Sequence, residues 1–165
     1  MNAEELITLQ APLKQQYREQ PGAALITLAA RGKIGDGITC RVDRGRTIAE
    51  AGLHPATGGD GASLCSGDML LEALVACAGV TLNAVATAIG VELRDATIRA
   101  EGDLDFRGTL GVEREAPVGF KQIRLQFDLD TDADEEQLAA LIKLTERYCV
   151  VFQTLASPPA ITISR

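Results

Sequence analysis

The stretch that decides the fold is Ser66-Gly67-Asp68-Met69-Leu70-Leu71-Glu72-Ala73-Leu74-Val75-Ala76-Cys77-Ala78-Gly79-Val80-Thr81-Leu82-Asn83-Ala84-Val85-Ala86-Thr87-Ala88-Ile89-Gly90. It is far too long for a strand and apolar on every side, which is the pattern of a helix buried inside protein. Ser66 is placed to cap its start, Asp68 lies favourably near the positive end of its dipole, and Gly90 ends it as a C-cap glycine does. A membrane span over Met69 to Ile89 is disfavoured, because Glu72, Thr81, Asn83 and Thr87 interrupt the run and no Lys or Arg flanks it closely.

Working backwards, His54-Pro55-Ala56-Thr57-Gly58-Gly59-Asp60-Gly61 is a loop by its Gly and Pro content. Ala23 to Ala30 and Ile38 to Val42 read as a hairpin around Gly35-Asp36-Gly37. Residues 3 to 20 read as a helical extension broken by Pro12 and ending before Pro21-Gly22. Working forwards, Val91 to Phe106 and Ile123 to Leu129 alternate as strands with one wet face. A second helix follows from Thr131 and Asp132, with Asp132 and Glu135 as a capping pattern and Leu138, Leu141, Ile142 and Thr145 as its inward stripe. Cys149 falls at its end, or at a break before a further turn from Val150 to Leu155. Ala160 to Ser164 is expected to form a short last strand after Pro158-Pro159. This order is α+β with an antiparallel sheet, as one domain over 1–165 of which 1–21 is an N-terminal extension.

Composition narrows the function. With 46% hydrophobic and 24% charged residues, the 165-residue chain is able to bury a core, and with no Trp, two Tyr and four Phe that core must be aliphatic. Sixteen Lys and Arg against 23 Asp and Glu leave a net charge of −7, which argues against nucleic acid and against anionic membrane surfaces. The acidic start, Met1-Asn2-Ala3-Glu4-Glu5, lacks the features of an export signal, so a cytoplasmic location is expected. There the four cysteines, Cys40, Cys65, Cys77 and Cys149, do not build a disulfide framework. With no C-x-x-C and one histidine, no metal site and no cofactor are expected.

Cys77 sits among Ala76, Ala78 and Gly79, which leave room beside its sulfur; the alternative is a small buried hydrophobe. A reactive thiolate needs a group that lowers its pKa, and no cation lies within a helical turn. Cys149 follows Arg147, and a helical turn beginning after it would offer free amides to a thiolate; packing is again the alternative. Cys40 on its strand reads as packing. Cys65 is too far along the helix from Cys77 to bond it. His54 reads as a loop histidine making a turn hydrogen bond. Gly58-Gly59-Asp60-Gly61 lacks the frame of a phosphate loop. Asp128, Asp130, Asp132 and Asp134 lack the Gly and terminal Glu of a calcium loop.

Ser66 to Cys77 resembles the central-helix motif of the OsmC-like family, the osmotically inducible and organic hydroperoxide resistance proteins. So do Glu101-Gly102-Asp103-Leu104-Asp105-Phe106-Arg107-Gly108 and Gly119-Phe120-Lys121-Gln122-Ile123, and Glu146-Arg147-Tyr148-Cys149-Val150-Val151 resembles the second cysteine motif. The resemblance spans roughly residues 22 to 164. It implies an intertwined homodimer with sheets packed on long central helices and active sites at the subunit interface. It also implies a peroxidase in which Cys77 attacks an organic hydroperoxide and Cys149 resolves the sulfenate to a disulfide. A dithiol of lipoyl type would then reduce that disulfide.

The family's acid is matched best by Asp68, which is shorter than Glu and shifted by one residue. Nine residues of straight helix turn Asp68 away from Cys77, so it serves only from a preceding loop or in the other subunit's site. The family's arginine is matched best by Arg31, then Arg41, and Val150 stands where Pro is common. The other reading is a non-catalytic dimer of this fold holding a small apolar or electrophilic ligand at the interface.

Overall fold

The computed structural model describes residues 3–35, 39–42, 51–62 and 64–165. Its helices are α1 (Ala3–Glu19), α2 (Ser66–Ile89), α3 (Phe106–Thr109), α4 (Glu135–Tyr148) and α5 (Val150–Ala156). Its strands are β1 (Leu25–Gly35), β2 (Thr39–Val42), β3 (Ala51–Gly52), β4 (Leu64–Cys65), β5 (Asp95–Asp105) and β6 (Phe120–Asp130). One sheet has the order β2-β1-β5-β6, and β3 and β4 form a short parallel pair. The architecture is α+β, as the alternation of the sequence predicts.

The chain divides into two compact units that cut across the long elements. The first comprises Met1–Ala30, Arg46–Leu71 and Ala100–Leu125; the second comprises Arg31–Gly45, Glu72–Arg99 and Gln126–Arg165.

In the first unit, Tyr17, Ala24, Leu71, Leu104 and Phe106 form the buried core. α1 runs through Pro12 instead of breaking there. Proline removes one helical hydrogen bond, but α1 is pinned on both sides of it: Gln10 Nε2 donates to the Thr57 carbonyl at 3.1 Å and Tyr17 Oη to the Ala56 carbonyl at 2.6 Å. The His54–Gly61 loop tightens into a 3₁₀ turn over Pro55–Thr57, and Gly58 leaves it at φ 93°. Across β5 and β6, the Arg124 guanidinium bonds Asp103 and Glu101, and the Thr27 hydroxyl from β1 also donates to Asp103.

In the second unit, Leu74, Val75, Ala78 and Leu82 of α2 are at most 1% exposed, together with Ile98 and Leu141. α2 is long and apolar enough to cross a membrane by length and composition; here these residues pack within the protein. It ends as predicted: Gly90 adopts φ 74°, and the Val91 amide reaches back to the Ala86 carbonyl at 2.9 Å. That exit delays β5 to Asp95, later than the alternation from Val91 predicts.

β1 and β2 form a hairpin where the sequence predicts one, but its first arm runs past Ala30 to Gly35, and the antiparallel pairing sets Gly32 opposite Val42 and Ile34 opposite Cys40. Asp36 and Gly37 of its expected turn lie outside the described residues, as do the side chains of Cys40 and Arg41.

The cap of α4 is Asp134, not Asp132. Asp134 Oδ1 accepts the Gln137 amide at 2.9 Å and Gln137 Oε1 accepts the Asp134 amide at 3.1 Å, a reciprocal capping box. Thr131 and Asp132 are otherwise engaged, the first donating to the Glu92 carbonyl and the second paired with Arg94. Arg94 also binds Asp130, so this acidic run serves an arginine clamp. Leu141 and Thr145 are buried as the predicted stripe requires. Ala160 to Ser164 forms no strand; Ile161 and Ile163 stand exposed and pair with none of the described strands.

Candidate functional site

α4 stops at Tyr148 and α5 starts at Val150, so Cys149 is at once the C-cap of one helix and the N-cap of the next, with φ −73° and ψ 105°. Its amide donates to the Thr145 carbonyl at 2.9 Å, and Thr145 in turn bonds the Leu141 carbonyl at 2.8 Å. Its sulfur accepts the Phe152 amide at 3.5 Å, taking the place a Ser or Asp oxygen has at ordinary caps. The side chain is 1% exposed. The sequence places Cys149 at the end of the second helix or at a break before a further turn; it is both, the end of α4 and the break before α5.

That break brings Cys149 to Cys77, on the middle of α2 in the same unit. Both thiols are free, and they are hydrogen-bonded to each other. Burial by itself pushes the half-buried Cys77 thiol up. Hydrogen bonds from the Val151 amide, the Cys149 thiol, the Thr81 hydroxyl and the Val150 amide outweigh it and hold Cys77 below the ordinary thiol range. Cys149 moves the other way. Burial, with the hydrogen bond and charge of Cys77 added, raises it to about 11, against the amides of Phe152 and Val151.

The pair is therefore polarised, with Cys77 as the sulfur that ionises first and Cys149 as the one that keeps its proton and donates it. Free amides after Cys149 were foreseen in the sequence as a benefit to Cys149. They act on both sulfurs, Phe152 and Val151 on Cys149, and Val150 and Val151 on Cys77. Thr81 was missed, although its spacing of four residues from Cys77 puts it on the same helix face. Arg147, the cation beside Cys149 in sequence, lies over the Tyr148 ring, 5.5 Å from its centre.

The other two candidate residues lie elsewhere. Asp68 is in the first turn of α2, in the first unit, 9% exposed, and its charge acts on His54. Arg31 is exposed on β1 in the second unit. Its charge helps hold Asp95 below the ordinary carboxylate range, after the larger effect of the Lys33 hydrogen bond. The structure thus joins Cys77 to Cys149, and no guanidinium is among the described groups acting on Cys77.

His54 makes the turn hydrogen bond its sequence context predicts: Nδ1 accepts the Ala56 amide at 3.0 Å. Its ring also stacks on Phe106, centroids 4.9 Å apart and planes 19° from parallel, a contact no sequence spacing revealed. Among the described residues, no group of three His, Cys, Asp or Glu side chains is placed to hold a metal.

Comparison with curated proteins gives no match. Among solved structures, the chain is similar to an OsmC-like hydroperoxide resistance protein from Jannaschia sp. CCS1, with 18% identity over 84% of this chain and 91% of that one and a TM-score of 0.61. It is also similar to an OsmC-like protein from Mycoplasma pneumoniae, with 16% identity over 78% of this chain and 86% of that one and a TM-score of 0.57. At these identities the likeness establishes the fold. The profile of OsmC-like proteins matches residues 59–164, a span that contains both paired cysteines, and the chain belongs to the OsmC-like family.

Proposed function

We propose that the protein is a thiol-dependent peroxidase that reduces organic hydroperoxides to alcohols. The observation that carries this reading is the hydrogen-bonded pair of Cys77 and Cys149, with one thiol held below and the other above the ordinary range. Cys77 thiolate attacks the terminal peroxide oxygen; the O–O bond breaks, the alkoxide leaves and takes up a proton, and Cys77 becomes a sulfenic acid. Cys149 sulfur attacks that sulfur, a disulfide forms, and water departs. A dithiol of lipoyl type then attacks the disulfide and returns both cysteines to thiols, becoming oxidised itself. Family membership supports this chemistry, as does the contact between the two sulfurs, since a resolving thiol must reach the sulfenate before a second peroxide does.

The working unit is a homodimer. Val80, Tyr148 and Val150, neighbours of the thiol pair in sequence, are exposed at 38%, 56% and 71%, and a second copy would cover such side chains. Arg31 and Asp68 are the candidates to activate Cys77 from across that interface, in a cytoplasmic enzyme.

The test is thiol titration after one equivalent of cumene hydroperoxide. Rapid loss of two thiols per chain, abolished by Cys77→Ser, is expected. Slow and unselective oxidation of all the cysteines would refute the enzyme. Arg31→Ala and Asp68→Asn are expected to lower kcat/KM about tenfold or more, an interaction worth at least about 1.4 kcal/mol in the transition state. Unchanged kinetics would remove these two residues from the mechanism.

A further inference from the structure

The first unit carries a cavity in which neither paired thiol takes part. Its volume is about 380 Å³, and its apolar wall is Leu53, Leu70, Leu104, Phe106, Val118 and Phe120. Small-molecule sites run from roughly 300 to 1,000 Å³ and combine such walls with a few fixed polar groups. Here His54 and Cys65 are among the polar residues of the lining.

His54 is fixed from several sides. Its Nδ1 accepts the Ala56 amide and its face lies on Phe106. The Thr57 hydroxyl holds its carbonyl at 2.9 Å, and α1 braces the loop through Tyr17 and Gln10. With Nδ1 occupied as an acceptor, the neutral ring carries its proton on Nε2. Burial lowers the pKa of His54 against the opposing charge of Asp68, so the ring is neutral at pH 7. It offers one donor and no positive charge, and the nearby Asp68 carboxylate disfavours an anion.

We propose that this cavity binds an uncharged, largely hydrocarbon molecule with one oxygen acceptor, such as a ketone, and that His54 Nε2–H is the donor that orients it. Neither Cys77 nor Cys149 lines the site, and the inference is read without any peroxide.

Cys65, half-buried in the lining, supplies the readout. The reduced full-length protein is titrated with propiophenone, and N-ethylmaleimide labelling of each cysteine is followed by peptide mass spectrometry. The ketone is expected to slow labelling of Cys65 and to leave that of Cys77 unchanged. Propylbenzene, the hydrocarbon of similar size, should protect more weakly, and the anion 3-phenylpropanoate least. His54→Phe keeps a ring to lie on Phe106, and His54→Asn keeps an acceptor for the Ala56 amide. Each should raise the propiophenone concentration for half-protection by about three- to tenfold, the span of one neutral hydrogen bond, and leave propylbenzene unaffected. The proposal is overturned if the ketone gives no protection, if the anion protects equally, or if both variants respond like the parent. It is overturned too if Cys65 is inert in the free protein, since the cavity would then be closed to solutes.

Discussion

The Cys149 sulfur caps α5 through the Phe152 amide and hydrogen-bonds Cys77 at the same time. One break between two helices therefore fixes the Cys149 thiol, and it also presents the Val150 and Val151 amides to Cys77. The thiolate is stabilised by backbone and hydroxyl dipoles that are already oriented, so little reorganisation is needed when charge appears on sulfur.

Alkylation with iodoacetamide across pH should resolve the two sulfurs. Cys77 is expected to react with an apparent pKa below the ordinary thiol value, and Cys149 only as pH approaches about 11. Cys149→Ala removes a hydrogen-bond donor from Cys77 and should move it upward. Cys77→Ser removes the charge that raises Cys149 and should move that thiol downward. Two thiols titrating together near pH 8.5 would contradict the polarised pair.

Alkaline stability has a definite sign. The folded-state pKa of Cys149, about 11, lies above the unfolded value, so its stabilising contribution is complete below roughly pH 8.5 and is lost as pH rises through 11. Cys77 is depressed on folding, so its contribution is present above the unfolded pKa and lost as pH falls through the folded one. Urea unfolding between pH 9 and 11 should therefore show a decline, on the order of 2 kcal/mol at most, that Cys149→Ser reduces. The same decline in parent and variant would exclude Cys149 as its source.

Asp134→Ala removes the Oδ1 acceptor of the Gln137 amide, the side-chain half of the α4 capping box that residue 134 supplies, and should cost about 1 kcal/mol with an unchanged urea m-value. Asp132→Ala should leave α4 capped, because Asp132 binds Arg94 instead. Equal losses from the two substitutions, or a larger loss from Asp132→Ala, would argue against the observed cap.

Gly59→Ala places a methyl directly against the Leu53 carbonyl, backbone that cannot rotate away. A loss of about 2 kcal/mol or more is expected in thermal or urea unfolding, and the cavity lined by Leu53 and His54 should lose its ketone protection of Cys65. A variant as stable as the parent would show that the loop relaxes freely.

The sequence by itself determined the long buried helix from Ser66 to Gly90, the alternating strands, the α+β class and the two cysteine motifs. These are local patterns: apolar periodicity, glycine at a positive φ and turn residues act over a few positions, so they are legible one segment at a time. It misjudged Pro12 and the α4 cap, because each was decided by partners distant in the chain, Tyr17 and Gln10 on the 54–61 loop and Arg94 on Asp132; it misjudged the last strand too, since an alternating pattern around Ile161 and Ile163 makes a strand only where a neighbouring strand pairs with it. Only the tertiary structure decided which sulfur is the acidic one. Seventy-one residues separate Cys77 from Cys149, and the amides, hydroxyl and burial that split their pKa values meet only when α2 and the break between α4 and α5 come together.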